Sequence, residues 1–216
     1  MNIIDPYMRS LVYKTLSQLY QYPEPAGLNR FQAERRQLAE LLDAGTADSG
    51  PGEASEAVCL CNAICNQRLE PMQVEYVRLF DYRPTCPPFQ SAVVKMEQDN
   101  PAQLYLLIES CYREFGLGAN PDFRDPPDHI SMELEFMHYL SHEEGQAMED
   151  DVPEDEEKYR GAQKTFIDSH IMAWVPQFAS SLETHARIPF FRSLARITGS
   201  FIANEARYLA SFQPAI

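Results

Sequence analysis

Apolar residues recur at helical spacing along almost the whole of this chain, and the alternating β-branched runs between Asn-Gly or Asp-Gly turns that would mark strands are missing. The pattern predicts an all-α fold. Asp5-Pro6 reads as a cap followed by proline in the first turn of a helix whose stripe is Leu11, Val12, Tyr13, Leu16, Leu19 and Tyr20, ending by Pro23. Further helices are expected over Leu28 to Ala44, about Glu53 to Leu69, Met72 to Phe80, Ala102 to Phe115, Pro126-Pro127 to about Glu144, about Glu156 to Val175, and Ile188 to Phe212. Pro176 should kink or end the helix it follows.

The connections are marked by composition. Gly45 to Gly52 is rich in Gly, Ser, Asp and Pro and reads as an exposed loop, as does Ala119 to Asp125. Asp81 to Pro88 holds three prolines in eight residues, so it is an irregular connection. Between Glu143 and Glu157 there are nine acids in fifteen residues, a run expected to be solvated and mobile. No repeat at a fixed period and no linker long enough to separate two cores is found, so a single helical domain over residues 1–216 is expected.

Charge narrows the partners. The chain has 18 Lys and Arg against 32 Asp and Glu, a net charge of -14, which repels phosphate backbones and anionic lipid surfaces. Neither nucleic acid nor a stable membrane contact is expected. Two readings of the acidity stand: ordinary solubility, or a cationic partner. Five cysteines is an odd count, and the first residues lack the basic patch and apolar run of a secretory signal, which fits a reducing, cytoplasmic setting. The apolar run Leu104 to Ile108 is cut off by Glu109, far short of a membrane span.

Chemistry-bearing clusters are sparse. Of Cys59, Cys61 and Cys65 only the last two share a helix face, and there is no Cys-x-x-Cys pair. Glu135 and His138 have the Glu-x-x-His spacing of di-iron bundles, but no second such pair exists. No catalytic residue, metal site or cofactor is expected. In the helix after Pro126-Pro127, Ile130, Met132, Leu134, Phe136, Met137 and Leu140 form an apolar arc with Glu133 inside it and His129 one turn before. A carboxylate there needs a partner, and His129 is the expected one. The pair is either a core hydrogen bond or a polar anchor in the wall of an apolar groove. Asp128 is expected in the first helical turn, either satisfying free N–H groups or facing a cleft where it could receive a guanidinium. Phe166, His170 and Trp174 follow at i, i+4, i+8 and read as core rather than site.

Three segments taken together resemble the TorD/DmsD type of redox-enzyme maturation chaperone. They are Tyr76-Val77-Arg78-Leu79-Phe80 followed by Pro87-Pro88-Phe89-Gln90-Ser91, then Pro127-Asp128-His129-Ile130-Ser131-Met132-Glu133-Leu134-Glu135-Phe136-Met137, then Phe166, His170, Trp174 and Phe178 at four-residue steps. The resemblance runs from about Tyr7 to Leu209 and lacks the tryptophan that some members carry between Phe80 and Pro87. It implies a cytoplasmic all-helical protein without catalytic activity. Such a protein binds the twin-arginine leader or apo form of a molybdopterin-dependent oxidoreductase catalytic subunit until the cofactor is inserted. It also implies that Leu79, Phe80, Pro87, Pro88, Asp128 and His129 lie at the client-binding surface, with Glu133, His170 and Trp174 in support. On that view Asp128 could be replaced with little loss of fold. The same resemblance implies a monomer or a helix-swapped dimer, with Arg83 to Pro88 as the hinge. Two competitors remain open from sequence: a general helical peptide-binding adaptor, and a metal-dependent helical enzyme.

Overall fold

A computed structural model describes residues 5–46, 55–94, 101–118 and 125–212. Its elements are α1 (Pro6–Leu19), α2 (Pro25–Ala33), α3 (Arg35–Thr46), α4 (Glu56–Asn66), α5 (Leu69–Phe80), α6 (Gln90–Val93), α7 (Pro101–Glu114), α8 (Ile130–Glu149), α9 (Pro153–Phe166), a π-helical segment (Ile167–Ile171), α10 (Met172–His185) and α11 (Pro189–Ala210). No strand occurs among the described residues. A single antiparallel bridge joins Phe89 to His129.

Helix α1 begins where its sequence says it should. The Asp5 carboxylate accepts the Tyr7 N–H at 2.7 Å, and Pro6 takes the first-turn position that needs no donor. Val12, Tyr13 and Leu16 then face inward, and α1 lies along α8 while α8 also packs on α9 and α10 on α11. Gly145 permits the α1–α8 approach: a Cβ there would sit 3.0 Å from the Tyr7 ring. One apolar cluster takes in residues from α1 through α11.

Several expected boundaries move. The stretch expected as one helix from Leu28 to Ala44 is two, separated at Glu34, and this turn re-aims α3 so that Leu38 and Leu42 become core. Helix α3 runs on to Thr46, burying Gly45 against Val12 and Phe201. The rest of the expected loop to Gly52, the start of the next helix at Glu53, the Asn100 cap and the loop 119–124 lie outside the described residues. The helix expected to kink or end at Pro176 continues to His185; the π segment Ile167–Ile171 precedes the proline, the kind of local irregularity that lets a helix accommodate a missing backbone donor.

The acidic run is the largest correction. Instead of a mobile loop, α8 extends through Glu149, the chain turns at Asp151 in a left-handed conformation (φ 56°), and α9 starts at Pro153. Glu144 is fully buried. Its Oε2 accepts from Arg9 Nη1 at 2.9 Å and from Gln163 Nε2 at 2.8 Å, and its Oε1 accepts from Arg160 Nε at 2.7 Å. Arg9 also donates to Glu205 (Nε at 2.9 Å, Nη2 at 2.8 Å) and lies over the Tyr208 ring, 4.5 Å from its centre. One guanidinium therefore ties α1 to α8, α9 and α11. Burial by itself would lower the Arg9 pKa, but Glu205 and Glu144 outweigh it and hold the guanidinium above its ordinary value.

Candidate functional site

The six residues expected at the binding surface fall into two groups, and most of both are covered. Leu79 and Phe80 end α5 inside the core: Phe80 has Tyr20, Tyr76, Phe178 and Phe191 around it at ring-centre distances of 6.3, 5.0, 6.2 and 5.4 Å. The chain leaves α5 through Asp81 and folds back, with the Cys86 N–H donating to the Leu79 carbonyl at 2.8 Å. Pro87 is half-buried and Pro88 buried.

The second group is built by the return of that connection to the start of α8. Ile130 N–H donates to the Pro88 carbonyl at 2.9 Å and Gln90 N–H to the Asp128 carbonyl at 3.0 Å, which makes the Phe89–His129 bridge. Asp128 is completely buried, and its Oδ2 accepts the Ser91 N–H at 2.9 Å. It therefore caps the short α6 rather than the first turn of α8, and its removal with little loss of fold, expected from the sequence, does not fit a carboxylate so enclosed. His129, not Asp128, is the N-cap of α8: its Nδ1 accepts from the Ser131 N–H at 3.2 Å and lies 2.7 Å from the Ser131 Oγ. Burial lowers the His129 pKa, against the opposing charges of Asp125 and Asp128, so the neutral ring that accepts at Nδ1 is favoured.

The expected Glu133–His129 pair is replaced by another. Glu133 is fully buried and its Oε2 accepts from the Trp174 indole N–H at 2.9 Å. The reason lies in the cap: His129 has extended backbone (φ -70°, ψ 139°), so its side chain leaves the helical grid on which an i, i+4 contact depends. His170 is buried, 3.2 Å from the Gln90 Oε1 through its Nδ1, and its ring stacks on Phe166 at 4.8 Å. His170 thus supports the 87–94 segment through Gln90, while Glu133 and Trp174 pair between α8 and α10.

Burial raises the Glu133 carboxyl well above its ordinary range; the Trp174 N–H opposes this and the charge of Asp128 adds to it. The folded state therefore binds this proton more tightly than the unfolded chain does. Stability from this group is greatest below the unfolded pKa near ~4.3 and declines as pH rises from there toward the folded value. Glu133→Gln keeps an acceptor for Trp174 and removes the titration. The variant is expected to be more stable than the parent at pH 8 and equal to it at pH 4, read by urea unfolding at both; a larger loss of stability at pH 8 than at pH 4 would contradict the assignment.

Two open clefts lie away from these residues. A cleft of about 440 Å³ beside α8 is lined by Gln18, Met132, Glu135, Phe136, His138 and Tyr139, among others. A second, of about 490 Å³, opens between the end of α1 and α2 around Tyr22, Leu28 and Phe31. Neither is lined by any of the six expected binding residues.

Sequence reasoning passed over the Arg9 network and a half-buried ion pair, in which Glu75 accepts from Arg78 at 2.7 and 2.8 Å and from the Arg187 N–H at 2.6 Å. A signal existed for Arg9, since Val12, Tyr13 and Leu16 follow it at i+3, i+4 and i+7 and place it on the apolar stripe. Glu205 is flanked in the same way by Phe201, Ile202, Tyr208 and Leu209. For the cysteines, Cys61 is buried, which pushes its thiol up to about 11, while Cys65 is exposed. Among the described residues no three His, Cys, Asp or Glu side chains are grouped as a metal ion requires, and no helix is long and apolar enough to cross a membrane.

Comparison with known proteins places this arrangement. Residues 29–180 match the family model described as nitrate reductase delta subunit. The perchlorate reductase assembly chaperone protein of Dechloromonas aromatica is 31% identical over 110 residues, covering 50% of this chain and 48% of that one. Chaperone protein TorD of Photobacterium profundum is 30% identical over 112 residues, covering 51% and 49%. The selenate reductase assembly chaperone protein of Thauera selenatis is 39% identical over 72 residues, covering 33% and 36%. The chain thus spans half or less of the length of these curated relatives. A crystal structure described as a redox enzyme maturation protein, from Archaeoglobus fulgidus, shares the fold across 94% of this chain and 96% of its own, with a TM-score of 0.54 at 21% identity. With an all-helical fold and a family match over most of its length, the chain belongs to the nitrate reductase delta subunit family of TorD-type redox-enzyme maturation chaperones.

Proposed function

We propose that this protein is a cytoplasmic, system-specific assembly chaperone, folded as one helical domain. Its client is the catalytic subunit of a molybdenum-cofactor oxidoreductase, bound through its twin-arginine leader, its apo form or both. It holds that subunit while the cofactor is inserted and releases it for assembly or export. It performs no chemistry on the client and carries no cofactor of its own. The observation that carries this reading is the family match, together with relatives named for the assembly of perchlorate and selenate reductases.

Physical chemistry supports the same reading. A twin-arginine leader is cationic at one end and apolar in its middle, so a chain with a net charge of -14 attracts the first part and apolar grooves accept the second. Apolar burial supplies most of the affinity at about 25 cal/mol per Å², while carboxylates speed encounter and set register. The recognition is therefore salt-sensitive. What co-purifies with the full-length protein from its native cytoplasm, at low and at high salt, tests the proposal.

A further inference from the structure

Along the edge of α8 that borders α1, two histidines stand one helical turn apart. His138 and His142 have the i, i+4 spacing that makes side chains neighbours on a helix surface. Their ring centres are 6.3 Å apart, and both rings line the cleft of about 440 Å³ beside α8.

The hydrogen bonds of His138 set its tautomer. Its Nδ1 lies 3.0 Å from the Ser10 carbonyl oxygen and 2.6 Å from the Ser10 Oγ. A carbonyl oxygen offers lone pairs and no hydrogen, so Nδ1 carries the proton and donates it to Ser10. In the neutral ring the free lone pair is then on Nε2. Burial lowers the His138 pKa against the opposing charge of Glu135, which favours that neutral ring. Metal-binding histidines almost always give their other N–H to a carbonyl or carboxylate in this way, which fixes the ring's direction and raises its basicity. His142 is exposed, with its ring edge-on to Tyr7 at 5.4 Å between centres.

We propose that His138 Nε2 and the His142 ring form a site on α8 for a divalent transition-metal ion of the zinc, nickel or copper class, entered from the cleft. Imidazole suits these ions, whereas magnesium and calcium require oxygen ligands. At ~2.0–2.1 Å from each nitrogen, one tetrahedral ion needs the two rings about 1 Å closer than they stand, a shift that a turn of the exposed His142 side chain supplies. Glu135 lines the same cleft and favours a cation there, as does the net charge of -14, while Lys14 of α1 acts on His138 with the opposite sign. Two side chains are fewer than a structural zinc site has, so water completes the shell and the ion exchanges with solution rather than staying as a resident cofactor. The site stands independently of which client the protein holds.

The test uses full-length protein without an affinity tag, titrated with zinc chloride and, in parallel, with magnesium chloride. Calorimetry is expected to show uptake of about one equivalent of Zn²⁺ per chain and none of Mg²⁺. Zinc is also expected to raise the melting temperature, since a ligand of the folded state stabilises it by mass action. In the imidazole nitrogen-15 spectrum, His138 Nε2 and one nitrogen of His142 should shift, while His129, His170 and His185 stay in place. His142→Gln alters an exposed side chain, so the fold is retained, and it is expected to lose both the uptake and the rise in melting temperature. Cys65→Ser, which removes an exposed thiol of α4, is expected to keep both. Uptake that persists in His142→Gln, that disappears in Cys65→Ser, that magnesium matches or that moves no imidazole nitrogen overturns the site. A protein that takes up no zinc and still captures its client also overturns it, and leaves the chaperone reading intact.

Discussion

Arg9→Ala is expected to destabilise the protein by about 3–5 kcal/mol, the usual cost of removing one partner from a buried ion network. Arg9, Glu144 and Glu205 are 1%, 0% and 2% exposed, so solvent screening offers the orphaned Glu205 carboxylate little relief, while Glu144 is left with Arg160 as its ion-pair partner. The guanidinium joins α1 to α8, α9 and α11, and four helices lose their common tie when it goes. Urea unfolding followed by far-UV circular dichroism measures the effect. Replacing Glu205 by glutamine in the Arg9→Ala background should recover part of the loss, since Glu205 loses its ion-pair partner whereas Glu144 keeps Arg160. A change below ~1 kcal/mol in Arg9→Ala would show that the network is solvated in solution.

Phe80→Ala is expected to cost about 3–5 kcal/mol, as for a large aromatic side chain truncated in a core. Phe80 is only 4% exposed and meets four aromatic rings, so its removal opens a cavity where α5, α10 and α11 converge with the end of α1. Phe80→Leu, which keeps more of the volume, should cost less and retain client capture. The pair of variants separates packing from contact. If Phe80→Ala unfolds at the parent's urea midpoint and yet loses the client, Phe80 touches the client in an opened form of the protein; parallel loss of stability and capture assigns it to the core.

Periodicity made the long helices legible. The helices expected from Ala102 to Phe115 and Ile188 to Phe212 are found at Pro101–Glu114 and Pro189–Ala210. What periodicity could not carry was the fate of charges. Counted as a run, Glu143 to Glu157 looks solvated, but Glu144 lies one turn after Leu140 on the buried face of α8 and is neutralised by arginines 135 residues before it and 16 after. Only the fold brings those together.

The site was partly legible for a related reason. The Pro-Asp-His and Pro-Pro-Phe-Gln-Ser segments stand out separately in the sequence, and the structure joins them through Pro88–Ile130, Asp128–Gln90 and Asp128–Ser91 hydrogen bonds. Helical geometry alone assigns Glu133 to His129, and this fails because a cap residue does not share the helix's angular spacing. Trp174, 41 residues away, supplies the donor instead. The resemblance also leads one to expect Leu79, Asp128 and His129 at a surface, whereas all three are buried.

The most direct measurement of the central proposal is affinity capture of the full-length protein from its native cytoplasm, with mass spectrometry of what co-purifies at low and at high salt. The proposal predicts one large molybdenum-cofactor oxidoreductase catalytic subunit, recovered in greater amount at low salt. Recovery of a mixture of unrelated helical or basic proteins, with no such subunit among them, would contradict it.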